Sequence, residues 1–178
     1  ALVNRGYQVS VICPKGPGDP AFQRLDGVDI FKYRPAPEAV GLAGFVWEFA
    51  YSWARTAILS LKAWRHRRFD VIQACNPPDT IFLLAAFWRL VCGTRFIFDH
   101  HDLNPELYEA KFGRRGRLHR ILLWLEKMTF RLADVSLATN LSYRQIAIER
   151  GGMSEDRVFI VRSVPDLSRF ERRAPSPA

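Results

Sequence analysis

The sequence predicts an α/β domain built around a doubly wound, mostly parallel sheet. Three observations carry that expectation. Short runs rich in Val, Ile and Phe alternate with longer segments of helical periodicity. Glycine and proline punctuate most junctions between them. Polar residues gather where several of the apolar runs end, which is where ligands sit on a parallel sheet.

The elements follow in order. Ala1 to Gly6 reads as the last turn of a helix closed by a glycine C-cap, which puts the start of the gene product and a first strand before Ala1. Tyr7 to Cys13 alternates and is predicted as a strand, ended by Pro14-Lys15-Gly16-Pro17-Gly18. Val28 to Arg34 is a second short strand, closed by Pro35 and Pro37. Leu42 to Arg67 is a long helix, because Phe45, Phe49, Trp53, Ala57, Leu61 and Trp64 recur at intervals of three and four. Phe69 to Ala74 is a strand, and Asn76-Pro77-Pro78-Asp79 is a turn opening a helix that runs through Val91. That helix is apolar nearly all round and is expected to be buried, with Gly93 as its stop. Thr94 to Asp99 is a central strand. Leu118, Ile121, Leu122, Leu125, Met128 and Leu132 mark an amphipathic helix. Val135 to Thr139 is the next strand, Ser142 with Gln145 forms a capping box for a helix ending at Gly151, and Val158 to Val161 is the last strand. Residues 1–164 are thus expected to form one domain without its first strand, and residues 165–178 to begin a linker.

Composition narrows the class. With 178 residues, 48% hydrophobic and 25% charged, the chain suits one soluble domain with its own core and argues against disorder or a disulfide scaffold. Cys13, Cys75 and Cys92 are widely spaced among apolar neighbours, so they are expected to be reduced core thiols of a cytosolic protein. The longest unbroken apolar run, Ile81 to Trp88, is far short of the ~20 residues that span a bilayer. The net charge of +8 fits an anionic partner without naming one.

Three strand ends hold candidate chemistry: Asn76 with Asp79, then Asp99-His100-His101-Asp102 with Glu106, then Asn140. Parallel strands bring such residues to one edge, and each stretch precedes a helix whose N-terminus favours an anion. Four titratable residues in a row after an apolar strand are hard to justify by stability, and histidine suits proton transfer or hydrogen bonding to a sugar hydroxyl. The alternative is that His100 and His101 merely close the strand. Adjacent His and Asp rarely bind one ion together, so no metal is expected. No glycine-rich dinucleotide fingerprint or P-loop follows a visible strand, which leaves nicotinamide and nucleotide-triphosphatase roles without support.

The run Phe96-Ile97-Phe98-Asp99-His100-His101-Asp102-Leu103-Asn104-Pro105-Glu106-Leu107-Tyr108 resembles the strand–loop element of family 4 glycosyltransferases. Within that family it is most similar to the subgroup building bacterial surface polysaccharides and lipid-linked sugars. Phe69 to Gln73 with Asn76-Pro77-Pro78-Asp79 also matches, as do Val158 to Arg162, Pro165-Asp166-Leu167 and Phe170. The resemblance implies a GT-B fold of two Rossmann-like domains, of which this chain is the N-terminal, acceptor-side one. It implies a nucleotide-sugar donor, a glycan or lipid-linked acceptor, retention of anomeric configuration and no metal cofactor. The partner domain would carry most of the donor site and the paired glutamates, so this chain alone would be inactive. By position, His101 and Asp102 match the His-Asp of the family, which implies a place beside the transferred sugar. Asn76, Asp79, Asp99, His100, Glu106 and Asn140 become supporting substrate contacts. The sequence departs from the family at Ser163-Val164, where an Asn-Gly turn is usual.

The basic residues divide into two runs. Arg55, Lys62, Arg65, Arg67 and Arg68 line the long helix with Trp47, Tyr51, Trp53 and Trp64 among them; Lys111, Arg114, Arg115, Arg117 and Arg120 follow later. Basic and aromatic residues together suit an anionic bilayer at the inner face of the membrane, though the same aromatics also fit a core. Nucleic acid is not expected, since no binding motif is present. Two function classes therefore stand: a glycosyltransferase, or a non-catalytic membrane-surface module of the same fold.

Overall fold

The structure is a computed structural model that describes residues 2–37, 41–113 and 115–162. Two sheets share the chain. In the first, β1 (Val9–Pro14) pairs in parallel with β3 (Val28–Tyr33), and β2 (Phe22–Leu25) pairs antiparallel to β3 on its other side. In the second, β4 (Val71–Cys75), β5 (Arg95–His100), β6 (Val135–Ala138) and β7 (Val158–Ile160) lie side by side in that order, all parallel. The helices are α1 (Gly41–His66), α2 (Phe82–Cys92), α3 (Asn104–Phe112), α4 (Arg117–Leu132) and α5 (Leu141–Glu149). Ala1 and the linker beginning at Pro165 lie outside the described residues, as do the turn Ser163-Val164, the matching segment through Phe170, and Arg114.

Helix α1 joins the two halves. One side of it, with Trp53, Ala57 and Trp64, packs against the core of the second sheet, whose largest member is Trp88. The other side, with Leu59 and Ala63, meets Phe31 and Tyr33 of the first. Trp88 Nε1 donates to Ser60 Oγ at 2.9 Å, whereas the buried indole N–H groups of Trp53 and Trp64 find no partner among the described residues. Leu61, expected inside, is 46% exposed, because the buried stripe runs through Leu59, Ser60 and Ala63 instead.

Several expectations are corrected. β2 and α3 are additional elements. α2 is not buried all round: Leu84, Ala85 and Trp88 face the sheet, while Leu83, Phe87, Leu90 and Val91 face outward, since only one side of the helix meets the sheet. The cysteines are free, but Cys75 and Cys92 are exposed and only Cys13 is half-buried. Helix α5 is capped by Asn140, whose Oδ1 accepts from Tyr143 N at 3.0 Å, and not by Ser142 with Gln145. Asn140 precedes the helix with extended backbone, the geometry an N-cap needs, whereas Ser142 is already helical. No helix among the described residues is long and apolar enough to cross a membrane.

Candidate active site

Register decides the site. Cys75 pairs with Asp99 and His100 with Ala138, so the carboxyl ends of β4, β5 and β6 reach one edge of the sheet. Asn76, His101 and Asn140 therefore leave the sheet at the same rim. The N-termini of α3 and α5 open there too, adding the positive ends of two helices.

Asn76 holds this rim together. It is 3% exposed, and its Oδ1 accepts from the backbone N–H of His101 at 2.9 Å and of Asp102 at 3.2 Å. Its Nδ2 donates to Asp102 O at 2.5 Å and to Asp79 Oδ1 at 3.2 Å. Asp79, 5% exposed, also accepts from Asn104 Nδ2 at 2.6 Å. Burial raises the Asp79 carboxyl above its ordinary value, against the two asparagine bonds, which lower it. Asn76 and Asp79, expected as substrate contacts, thus have their polar atoms committed to the loop that carries His101 and Asp102. Asn76→Ala strands two backbone N–H groups, and a loss of about 2–3 kcal/mol in unfolding free energy is expected. Amide exchange at His101 and Asp102 should speed up while the core of β5 stays protected.

Side chains alternate along a strand, so Asp99 and His101 share one face and His100 takes the other. The consequence is a polar pair on the rim. His101 Nε2 lies 3.0 Å from Asp99 Oδ1, and Gln73 Nε2 donates to Asp99 Oδ2 at 2.9 Å. His101 is 46% exposed at its side chain, and its Nδ1 makes no hydrogen bond among the described residues. Asp102 is half-buried, and its carboxylate makes no hydrogen bond or ion pair among the described residues. This arrangement is an imidazole oriented by a carboxylate, able to donate to or accept from a substrate hydroxyl.

His100 lies elsewhere. It is 0% exposed, packed among Phe98, Phe130 and Tyr143 with ring centroids 5.4, 5.1 and 5.0 Å away. Neither ring nitrogen meets hydrogen-bond geometry, although the nearby Asp102 backbone weakly favours the protonated form. Burial, reinforced by the Arg150 charge, lowers its pKa to about 4. A substrate contact by His100 is therefore replaced by a neutral core histidine. Its folded pKa lies below the ordinary value, so its contribution to stability is full above pH ~6.5 and is lost as pH falls toward ~4. The loss between pH 7 and pH 5 is about 2 kcal/mol. His100→Phe removes this proton uptake, and thermal unfolding at pH 5 should then move closer to that at pH 7 than in the parent.

Glu106 is also committed. Arg150 donates through Nη1 to Glu106 Oε1 and through Nη2 to Oε2 at 3.3 Å, and it binds Glu126 at 2.6 and 2.7 Å. Burial raises the Glu106 carboxyl, but the Arg150 hydrogen bonds and charge outweigh this and leave it below the ordinary value. Asn140 spends its Oδ1 on the α5 cap. Gln73, Asn104 and Arg150 belong to this constellation and were not singled out from the sequence. Among the described residues no three His, Cys, Asp or Glu side chains converge as a metal-ligand set. On α1, Trp53 and Trp64 pack in the core, Arg68 stacks over Trp64 at 5.3 Å, Arg55 and Arg67 are half-buried, and Lys62 and Arg65 are exposed.

Comparison with solved structures finds chains of the same fold. A chain of sucrose-phosphate synthase from Thermosynechococcus elongatus superposes with a TM-score of 0.62 at 10% identity, covering 93% of this chain and 81% of that one. A second chain of that enzyme gives 0.62 at 14% identity, covering 94% of this chain and 41% of its own length. At such identities the likeness establishes the fold, the Rossmann-like α/β domain of GT-B glycosyltransferases, and this chain spans less than half of the longer relative. No curated protein matches the sequence. The family model described as Glycosyltransferase Family 4 matches residues 1–169, and the chain belongs to that family.

Proposed function

We propose that this chain is the acceptor-side domain of an enzyme that transfers a hexose-type unit from a nucleotide sugar to a glycan or lipid-linked acceptor. The observation that carries the reading is the Gln73–Asp99–His101 chain of contacts at the carboxyl rim of the parallel sheet. Asp99 orients the imidazole of His101, and His101 meets a hydroxyl of the transferred sugar or of the acceptor. Asp102, with its carboxylate uncommitted, is a second contact at the same opening. The donor nucleotide and the paired glutamates would be supplied by a second GT-B domain, so this chain alone does not turn over. Retention of anomeric configuration and independence from metal follow from the family resemblance, as does a role in bacterial surface polysaccharide or lipid-linked sugar assembly. A lipid-linked acceptor would place the enzyme at the inner face of the membrane.

The test uses the whole gene product. It is incubated with a panel of nucleotide sugars and a membrane lipid extract, and release of nucleoside diphosphate is followed with and without chelator. At least one donor is expected to support release, and the chelator to leave the rate unchanged. A folded protein that releases nothing from any donor would remove the transferase reading and favour a binding module of the same fold.

A further inference from the structure

We infer that the outer face of α4 docks on the surface of an anionic phospholipid bilayer. Arg117, Arg120, Ile121, Trp124, Lys127 and Arg131 are all exposed and recur at helical spacing, so they form one stripe. Ile121 is 50% exposed and Trp124 is 55% exposed, a large apolar surface for a helix whose inner face already packs against α2, α3 and β5. The four cations of the stripe make no ion pair among the described residues. The one carboxylate of the helix, Glu126, is turned inward and held by Arg150.

Arg117, Arg120, Ile121 and Trp124 line an open depression of about 330 Å³. The two guanidinium groups stand one turn apart, and their planar donor forks match a phosphate. An indole and a branched aliphatic chain beside them suit the boundary between headgroups and acyl chains, with the cations at headgroup level. Helix α2 lies alongside, with the Phe82 ring 6.5 Å from Trp124, and carries exposed Leu83 and Phe87. Ile121 and Trp124 sit between two pairs of cations with no exposed carboxylate on the helix, and an anionic headgroup layer over an acyl boundary complements that one-signed set. The contact therefore moves from the basic residues of α1, of which Lys62 and Arg65 are exposed, to α4.

Lipid binding is measured with no sugar present, so this inference stands or falls apart from the transferase reading. The full chain is floated with vesicles of phosphatidylcholine alone or doped with phosphatidylglycerol, at low and high salt. Binding is expected to the doped vesicles only, and to weaken at high salt. Arg117→Glu with Arg120→Glu should lower the partition coefficient at least ~10-fold. Arg117→Lys with Arg120→Lys should keep most of it, which separates lost charge from lost fold. Lys62→Glu with Arg65→Glu should change binding by no more than about twofold if α4 supplies most of the attraction. Absence of binding to doped vesicles overturns the inference. Equal binding to both kinds of vesicle does so too, as does retention of binding by the α4 reversal while the α1 reversal abolishes it.

Discussion

Arg150→Met is expected to lower the unfolding free energy by about 3–5 kcal/mol, a shift on the order of 10 °C in the thermal midpoint. The size follows from what is left behind. Glu126 is 1% exposed and its carboxylate accepts from Arg150 at 2.6 and 2.7 Å, while Glu106 on α3 takes the other side of the same guanidinium. Arg150 thus pins α3 and α4 to the end of α5, and its removal leaves a carboxylate in the core without a counter-charge. Burial already raises the Glu126 carboxyl above its ordinary value in spite of Arg150, whose hydrogen bonds and charge pull it down. Removing Arg150 must raise it further. A carboxyl with a raised folded pKa contributes stability below the unfolded pKa and loses it as pH rises through the folded one. The variant should therefore be hurt more at pH 8 than at pH 5, as read from urea unfolding at both. Arg150→Met with Glu126→Leu should regain most of the loss, because the stranded charge is gone. A single variant as stable as the parent at pH 8 would show that Glu126 escapes to water.

The fold class was legible because its signals are local. Strand runs, helical periodicity and glycine stops sit within ten or twenty residues of one another, and most element boundaries moved by one or two positions, the start of α2 at Phe82 by at least three. Where reading failed, the signal was either passed over or non-local. Asp26-Gly27 is a hairpin dipeptide, and both residues have positive φ (49° and 79°) in the tight turn between β2 and β3. It was available and would have revealed β2. Helix α3 has Pro105 at its start, a usable sign, but its apolar residues do not gather on one face, so periodicity hid it. The Asp99–His101 pair was also within reach. Running β5 to His100 and applying a period of two puts His100 inward and the other two residues together. The roles of Asn76 and Arg150 were not legible. Their long-range partners lie 24 to 44 residues away, and only the closed sheet brings them into contact. Exposed and buried arginines look alike in sequence, so nothing there marked Arg150 as the partner of a buried carboxylate.

In the whole enzyme, His101→Ala should lower kcat/KM by about 10–100-fold, the effect of losing a positioned proton-transferring or hydrogen-bonding group. The fold should be little disturbed, since the His101 side chain is 46% exposed and the loop is held through its backbone by Asn76. Asp99→Asn is the more telling change. It keeps the shape and an oxygen toward Gln73, but removes the carboxylate charge 3.0 Å from His101 Nε2. If His101 works as a base or as a charged donor held in place by Asp99, Asp99→Asn should lower kcat by about 10-fold while KM changes little. An Asp99→Asn enzyme with the parent's kcat would leave His101 as a hydroxyl contact that needs no carboxylate behind it.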